Sequence, residues 1–362
     1  MRIINICGAR PNFMKIAPLM DAYRACPEIE PLLVHTGQHY DKVMSELFFD
    51  ELGIPRPDIN LGVGSGSHAV QTAEIMKRFE PVVLEHKPDW VLVVGDVNST
   101  VACALVARKL GVPVAHVEAG LRSSDESMPE EINRKLTDAI SNQCFVTEES
   151  GIFNLGREGL PADRVHFVGN VMIDTLLKHL ERARKGGKLA ELGLVPQGYA
   201  VMTLHRPSNV DDPATLSKLF DAIEVVQKDM PIIFPCHPRT RGRIEGMGLG
   251  NRLGAMGNLR LIDPQGYLDF LCLTASAGLV LTDSGGIQEE TTILKVPCLT
   301  LRENTERPVT CTVGSNQLVG TDPERILAAY GRVQAGQVRC DIPPLWDGRA
   351  AERIVGILAG RG

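Results

Sequence analysis

The stretch TDSGGIQEE, residues 282–290, places two glycines between an apolar run and a segment with helical character. Free backbone N–H groups and the helix dipole favour anions at such a start, so Ser284, Gly285 and Gly286 are predicted to hold a diphosphate. Glu290 lies about two turns further on and is predicted to bind hydroxyl groups, as an acid binds ribose in dinucleotide folds. The alternative is an ordinary strand–turn–helix whose acids compensate the dipole, because S-G-G alone is a weak motif.

Acidic residues follow two predicted strands of the first half. Asp96 ends WVLVVGD and Glu118 follows VPVAHV, which puts two carboxylates on one rim of a sheet. Crowded carboxylates raise each other's pKa, and this suits general acid–base work. Glu130 and Glu131 follow Pro129, which is predicted to open a helix. For Asp96 alone the simpler interpretation is a cap on the next helix, and Pro-Glu-Glu is also an ordinary helix start.

Two histidines of the second half, His205 and His237, each end an apolar strand beside Arg and Pro. We interpret them as anion contacts. For His39 in TGQHYD, the anion-contact and the structural interpretation both stay open. The remaining histidines are interpreted as structural: His35, His68, His86, His116, His166 and His179. No Cys/His spacing indicates a metal site, and no G-x-G-x-x-G fingerprint indicates a nicotinamide cofactor. The sequence therefore predicts chemistry without metal or cofactor.

The elements that position these residues follow a repeated strand–helix pattern. Ten apolar runs are predicted as strands: residues 2–8, 31–37, 90–96, 112–120, 144–148, 199–205, 231–237, 259–263, 277–285 and 297–301. They are apolar on successive residues, as in parallel strands covered on both faces, and amphipathic helices such as 211–229 separate them. This predicts an α/β fold of two doubly wound domains, residues 1–169 and 170–346. In such sheets ligands bind beyond the carboxyl ends of the strands, which predicts an active site in an interdomain cleft.

Composition excludes several classes of protein. The chain has 362 residues, 44% of them hydrophobic, and a net charge of −6 without a Lys/Arg stripe, which argues against nucleic acid as partner. No apolar segment has the length of a signal peptide core or a membrane span, so we expect a cytoplasmic protein without membrane insertion. The nine cysteines form no C-x-x-C pair and are expected to be reduced thiols.

Several motifs together resemble one family. They are GARPNFMKIAPL, TGQHYD, GDVNST, HVEAGLRS, MPEEINR, LHRPSN, DSGGIQEE and TERP, in this order from residue 8 to residue 308. They are similar to those of the non-hydrolysing bacterial UDP-N-acetylglucosamine 2-epimerases. The resemblance implies two Rossmann-like domains of the GT-B type, a homodimer, and a C-terminal helix at about 347–362 that packs back on the first domain.

The resemblance also implies roles for individual residues. Asp96, Glu118, Glu130 and His205 match catalytic positions. Substrate-binding positions are matched by Arg10, Lys15, Arg134, His237, Ser284, Gly285, Gly286 and Glu290. Glu130 is preferred to Glu131 because the first acid of PEE is the one that aligns.

The implied reaction inverts carbon-2 of UDP-N-acetylglucosamine through elimination and re-addition of UDP. It needs a base for the carbon-2 proton and a stabilised leaving diphosphate. Alternatives on the same motifs are a hydrolysing epimerase that releases N-acetylmannosamine, an epimerase of a UDP-diacetamido uronic acid, and a GT-B glycosyltransferase. A non-catalytic UDP-sugar sensor is disfavoured, because a binder has no need of crowded carboxylates.

Overall fold

The computed structural model describes residues 1–37 and 51–361. The chain forms two compact units, each built on one parallel sheet. Unit 1 comprises Met1–Lys178 and Pro344–Gly362, and unit 2 comprises His179–Pro343. The C-terminal segment therefore lies in unit 1, where the last helix packs on the first.

Unit 1 contains a parallel sheet of seven strands in the order β3-β2-β1-β4-β5-β6-β7. Its strands are β1 (Arg2–Cys7), β2 (Glu30–His35), β3 (Ile59–Asn60), β4 (Trp90–Val94), β5 (Val114–Ala119), β6 (Gln143–Val146) and β7 (Val165–Phe167). Its helices are α1 (Arg10–Tyr23), α2 (His68–His86), α3 (Asn98–Lys109), α4 (Pro129–Ile140), α5 (Glu149–Arg157) and the first part of α6 (Val171–Arg184).

Unit 2 contains a parallel sheet of six strands in the order β10-β9-β8-β11-β12-β13. The strands are β8 (Ala200–Thr203), β9 (Ile232–Pro235), β10 (Leu259–Ile262), β11 (Leu279–Thr282), β12 (Cys298–Thr300) and β13 (Asn316–Leu318). The helices are α7 (Lys188–Glu191), α8 (Pro207–Val210), α9 (Pro213–Asp229), α10 (Pro238–Gly246), α11 (Gly250–Gly254), α12 (Tyr267–Ala275), α13 (Gly285–Leu294), α14 (Val309–Thr312) and α15 (Pro323–Gln334); helix α16 (Ala350–Leu358) returns to unit 1.

Both sheets are covered on two faces, which explains the continuous apolar strands. In unit 1, Ile4 and Val93 pack with Phe79 of α2 in one buried cluster. In unit 2 alternate residues of β8 enter two different clusters, Met202 on one face of the sheet and Val201 on the other. Among the described residues, no helix combines the length and apolar character that crossing a bilayer requires.

The predicted α/β class with two Rossmann-like sheets is confirmed, and each of the ten predicted runs overlaps an observed strand. The sequence analysis missed β3, β7 and β13. These strands have two or three residues and lie at or near the sheet edges, so they offer too few apolar positions to produce a recognisable pattern. The helix predicted to open at Pro129 begins at that residue.

Candidate functional site

The predicted polar residues gather where the strand order of each sheet reverses. In unit 1 this point lies between β1 and β4, and in unit 2 between β8 and β11. Crossovers leave in opposite directions there, which opens a crevice at the carboxyl ends of the strands. Asn12 spans the crevice of unit 1, because its Oδ1 accepts from the backbone N–H of Gly8 at 3.1 Å and its Nδ2 donates to the Val94 carbonyl at 3.2 Å.

A buried ion pair joins α1 to the end of β5. The Nζ of Lys15 donates to Oε2 of Glu118, and the side chains are only 6% and 4% exposed. Gly95 makes room for the pair, since a Cβ there would lie 2.8 Å from Lys15 Nζ and 3.2 Å from Glu118 Oε2. A buried charge pair of this kind holds both groups in one geometry, because either charge alone would be costly to bury.

Glu118 is held in an unusual backbone conformation. Its φ is +73°, in the left-handed region that residues with a side chain rarely adopt. The register between β5 and β6 shifts between Val117 and Ala119, so Glu118 occupies a β-bulge. A bulge redirects a side chain at the end of a strand, and left-handed non-glycine residues cluster at functional sites. The backbone thus aims Glu118 at Lys15.

A cavity of about 280 Å³ lies beside these strand ends and carries two of the predicted acids. Asp96 and Glu130 both contribute to its wall. The other wall residues are Ser65, Gly66, His68, Gln71, Val97, Asn98, Pro129 and Asn133. Asp96 is 29% exposed, and Glu130 is half-buried. Two carboxyl groups on one cavity can serve one reacting centre, provided that they approach it from different directions.

Asp96 is not the residue directly before the next helix. Helix α3 begins at Asn98, and Val97 occupies the position before it. Asp96 instead has Nε of Arg134 at 3.6 Å from its Oδ2. Arg134 is buried, and its Nη1 lies 3.4 Å from Oε2 of Glu131. The predicted substrate contact at Arg134 is therefore a buried cation between two acids of the same unit.

The two acids after Pro129 have different environments. Glu131 is fully buried, and its carboxylate accepts hydrogen bonds from the backbone N–H groups of Ser123 and Ser124 at 3.0 and 3.1 Å. Glu131 thus fixes the loop after β5, while Glu130 lines the cavity. This is the physical basis for a functional difference between the two neighbours.

In unit 2, a buried aspartate orients His205. Oδ1 of Asp283 lies 2.7 Å from Nδ1 of His205, and the carboxylate also accepts from the backbone N–H of Arg206 at 2.9 Å. Burial alone would raise the pKa of Asp283, but the hydrogen bond and charge of His205 lower it below its ordinary value. The His205 side chain is 55% exposed. An ionised aspartate that holds Nδ1 leaves Nε2 of the ring available to a ligand.

The start of α13 lies against a cluster of buried charges. Ser284 is the residue before the helix, as predicted, although its side chain makes no capping hydrogen bond. A Cβ on Gly285 would lie 2.6 Å from Arg307 Nη1 and 2.7 Å from Glu306 Oε1, so a side chain there would displace these two groups. Glu306 pairs with Arg307 at 2.5 Å and with Arg302 at 2.8 Å. A helix N-terminus with arginines beside it suits an anion such as a diphosphate.

The adjacent acids Glu289 and Glu290 also have different environments. Glu289, like Glu131, is held by other groups of the chain. Glu289 pairs with Nε of Arg307 at 2.8 Å. Glu290 is 5% exposed, and its Oε2 has no hydrogen-bond partner among the described residues. Burial and the neighbouring Glu289 raise the pKa of Glu290 to about 8. An acceptor buried without a partner is costly, and a ligand hydroxyl would satisfy it.

Two other predicted substrate contacts, His237 and Arg10, lie at helix starts. His237 precedes α10, and its Nδ1 accepts from the backbone N–H of Arg239 at 3.3 Å, so it caps a helix. Arg10 opens α1, but its side chain lies outside what the structure describes. His39 lies outside the described residues.

The sequence analysis missed several neutral residues of the unit 1 cavity. His68 was interpreted as structural, yet it lines the cavity with its Nδ1 3.3 Å from Asn98 Oδ1. Asn98 also donates to Gln71 at 2.9 Å, and Asn133 donates to the Asp96 carbonyl at 2.9 Å. Amides in helices carry no spacing signal, so only folding identifies them. Within residues 1–37 and 51–361, no three His, Cys, Asp or Glu side chains converge as metal ligands.

Comparison with known proteins gives consistent matches along the chain. A family model described as UDP-N-acetylglucosamine 2-epimerase matches residues 21–359. A UDP-N-acetylglucosamine 2-epimerase of Methanocaldococcus jannaschii is 44% identical over 363 residues, which cover 99% of each chain. A UDP-2,3-diacetamido-2,3-dideoxy-D-glucuronate 2-epimerase of Pseudomonas aeruginosa is 43% identical over 364 residues, again 99% of each.

A solved structure with the same fold contains nucleotides. It is the M. jannaschii UDP-GlcNAc 2-epimerase in complex with UDP-GlcNAc and UDP, with a TM-score of 0.91 and 43% identity. The match covers 99% of this chain and 100% of that one. The M. jannaschii and P. aeruginosa relatives are named for different substrates but are almost equally similar to this chain. Sequence identity alone therefore does not choose between the two substrates.

Proposed function

This chain belongs to the UDP-N-acetylglucosamine 2-epimerase family, and from that premise we propose that it interconverts UDP-N-acetylglucosamine and UDP-N-acetylmannosamine without hydrolysis. The observation that carries the proposal is the unit 1 cavity with Asp96 and Glu130 on its wall. Inversion at carbon-2 requires one group to take a proton and another to deliver one from the opposite face. Two carboxyl groups on one cavity supply that pair.

The proposed steps balance without a cofactor. A carboxylate takes the carbon-2 proton, and the C–H electron pair forms a double bond between carbon-1 and carbon-2. The bond from carbon-1 to oxygen breaks, and its electron pair leaves with UDP. Protonation of carbon-2 from the opposite face and return of UDP to carbon-1 complete the inversion. His205, held by Asp283, is suited to donate to the leaving diphosphate.

The residues of unit 2 support the nucleotide half of the proposal. The start of α13 and its arginine cluster offer an anion site. Glu290 offers a buried acceptor, Oε2, with no hydrogen-bond partner in residues 1–37 and 51–361, and the two hydroxyls of a ribose are donors of the right chemistry. Lys15 was predicted to bind the substrate. Because it is already paired with Glu118, we assign it to holding that carboxylate in place.

A second candidate substrate is a UDP-diacetamido uronic acid. The P. aeruginosa relative, 43% identical, carries that substrate in its name. The cavity wall favours the neutral sugar, because it carries two acids and, among the described residues, neither lysine nor arginine. A uronate carboxylate would meet like charge there.

The test is NMR of the purified protein with UDP-N-acetylglucosamine in deuterated water. We expect the manno epimer, still attached to UDP and deuterated at carbon-2. Free UDP with free N-acetylmannosamine would assign the protein to the hydrolysing class, and turnover only with an added acceptor would assign it to the glycosyltransferases. If only the diacetamido uronate nucleotide reacts, the second candidate replaces the first.

We also propose that the enzyme acts as a homodimer. Ile132 and Leu136 lie four residues apart on α4, on one face, and their side chains are 50% and 52% exposed. Exposed apolar pairs on one helix face favour association. Light scattering should give twice the chain mass, and Leu136→Glu should reduce it toward one chain. Unchanged mass in the variant would move the interface elsewhere.

A cytoplasmic location is the last part of the proposal. All nine cysteines are free thiols, and seven of them are buried. Reduced thiols are typical of proteins in the cytosol. Fractionation of cells that express the chain tests this, and recovery with the membranes or outside the cell would contradict it.

A further inference from the structure

His116 and Asp138 form a fully buried pair beneath the strand ends of unit 1. His116 lies in β5 and Asp138 in α4, and neither side chain has exposed surface. Nδ1 of His116 lies 2.6 Å from Oδ1 of Asp138, and Nε2 lies 2.8 Å from the Gly95 carbonyl oxygen. A carbonyl oxygen only accepts, so Nε2 donates to Gly95.

The second carboxylate oxygen of Asp138 binds the turn that follows β5. Oδ2 accepts from the backbone N–H of Gly120 at 3.1 Å and from Arg122 Nη2 at 2.7 Å. Burial alone would raise the pKa of Asp138, but the charges and hydrogen bonds of His116 and Arg122 lower it. The pKa of Asp138 is therefore held below its ordinary value, and its Oδ1 lies within hydrogen-bond distance of Nδ1 of His116.

The two ends of this pair touch the turns that carry the acids. Gly95 directly precedes Asp96, and Gly120 follows Glu118 by two residues. Gly95 also donates its N–H to the Val117 carbonyl at 3.0 Å, and its φ of +67° admits only glycine without strain. One buried pair thus fixes both turns from below.

The need for such a support follows from the conformation of Glu118. A non-glycine residue at φ +73° is strained, and this conformation persists only where the surrounding structure holds it in place. His116 and Asp138 provide hydrogen bonds on both sides of that bulge. A relaxed bulge would move Glu118 away from Lys15.

We propose that His116 and Asp138 are positioning residues that fix Asp96, one of the two cavity acids, and the neighbouring Glu118–Lys15 pair for the reaction at carbon-2, an inference that rests on the proposed function. Neither residue contacts the substrate. Their effect reaches the reaction through the backbone of Gly95 and Gly120.

The test compares two replacements of His116, one that keeps a hydrogen-bond donor and one that keeps only apolar volume. His116→Gln keeps a donor that can reach Gly95, whereas His116→Leu keeps apolar volume and loses both hydrogen bonds. A misplacement near 1 Å can cost about 100-fold, so we expect His116→Leu to lower kcat by about 100-fold and His116→Gln by about 10-fold. KM and UDP-binding stoichiometry should stay near the native values. His166→Leu, in β7 at the sheet edge, is the matched control.

The outcomes separate positioning from packing. If His116→Leu retains as much activity as His116→Gln, packing is the role and the proposal is overturned. A fall in kcat matched by a fall in UDP stoichiometry has the same meaning. Should His116→Leu not fold, Asp138→Asn replaces it, because the amide keeps the shape and loses the charge; native kcat there contradicts the proposal.

A second measurement does not depend on turnover. Amide hydrogen exchange of residues 94–97 and 117–121 should speed up in His116→Leu and not in His166→Leu. If the native protein turns over no UDP-sugar, the proposed function fails, and this exchange still decides whether the pair holds the turns. Unchanged exchange overturns the inference whatever the activity.

Discussion

The two units share one topology but treat their buried charges differently. In unit 1 the acids near the strand ends have cations beside them: Lys15 pairs with Glu118, and Arg134 lies 3.6 Å from Asp96. In unit 2, Glu289 is paired, but Oε2 of Glu290 is buried without a hydrogen-bond partner in the described chain. Unit 1 is thus arranged before substrate arrives, as catalysis requires, whereas unit 2 keeps an acceptor that a ligand completes.

This contrast also bears on the expectation of crowded carboxylates. Asp96 and Glu118 do end neighbouring strands, since Val94 pairs with Val117 in the sheet. Their nearest charged partners are nevertheless cations from α1 and α4. Folding therefore places a cation beside each acid, where the sequence alone suggested two acids without partners close together.

The largest expected effect is on turnover in unit 1. Asp96→Asn removes a carboxylate from the cavity and should lower kcat by about 1,000-fold, within the range for a general acid or base. UDP affinity, measured by calorimetry, should change by no more than about threefold, since hydrogen bonds to UDP are assigned to unit 2. Glu126→Gln, an exposed acid of the same unit, is the control. An equal loss of UDP affinity would remove the division of labour between the units.

The next effect is on nucleotide binding in unit 2. Glu290→Ala removes an acceptor that has no hydrogen-bond partner among the described residues and should weaken UDP binding by about 10-fold, the value of a hydrogen bond to a carboxyl group that is mostly neutral at pH 7 because its pKa is about 8. Calorimetry with UDP measures it directly. Glu181→Ala, on the surface of the same unit, should bind as the native protein does. Native affinity in Glu290→Ala would show that the ribose lies elsewhere.

A smaller effect is expected from a single methyl group at the start of α13. The Cβ in Gly285→Ala would meet Arg307 and Glu306 at 2.6 and 2.7 Å. Displacing their ion pair should cost about 1–3 kcal/mol of unfolding free energy, as overpacking does, and weaken UDP binding. Denaturant unfolding measures the first quantity. The control is Gly331→Ala in α15, where a Cβ meets nothing within 4 Å; equal losses in both would assign the effect to helix glycine in general.

The smallest expected effect is the pH dependence of stability. The pKa of Glu290 is raised from an ordinary 4.5 to about 8, so the stability that it contributes is present below about pH 4.5 and is lost as the pH rises through 8. Without nucleotide, the melting temperature should fall by a few degrees between pH 7 and 9. Glu290→Gln should flatten this decline, and UDP should reduce it. An unchanged profile in Glu290→Gln would place the titrating group elsewhere.

The sequence predicts much of the fold because its signals are local. Ten strands, the helix start at Pro129 and the glycine turn before α13 each depend on a few adjacent residues. The individual histidines were harder. His116 was interpreted as structural because it lacks the neighbouring Arg and Pro of His205 and His237, yet Asp138, 22 residues later, joins it to the site. Long-range contacts of this kind leave no periodic signal.

The sequence by itself determined the fold class, the motif order and which residue types gather at the strand ends. Only the tertiary structure decided the environment of each acid in the pairs Glu130/Glu131 and Glu289/Glu290. Glu289 and Glu290 are neighbours in sequence, but successive helical residues point about 100° apart, so Glu289 meets Arg307, whereas Oε2 of Glu290 is buried with no hydrogen-bond partner in the part of the chain that the structure describes. Pairing depends on what lies opposite each side chain in the folded chain, and that is set by elements far away in sequence.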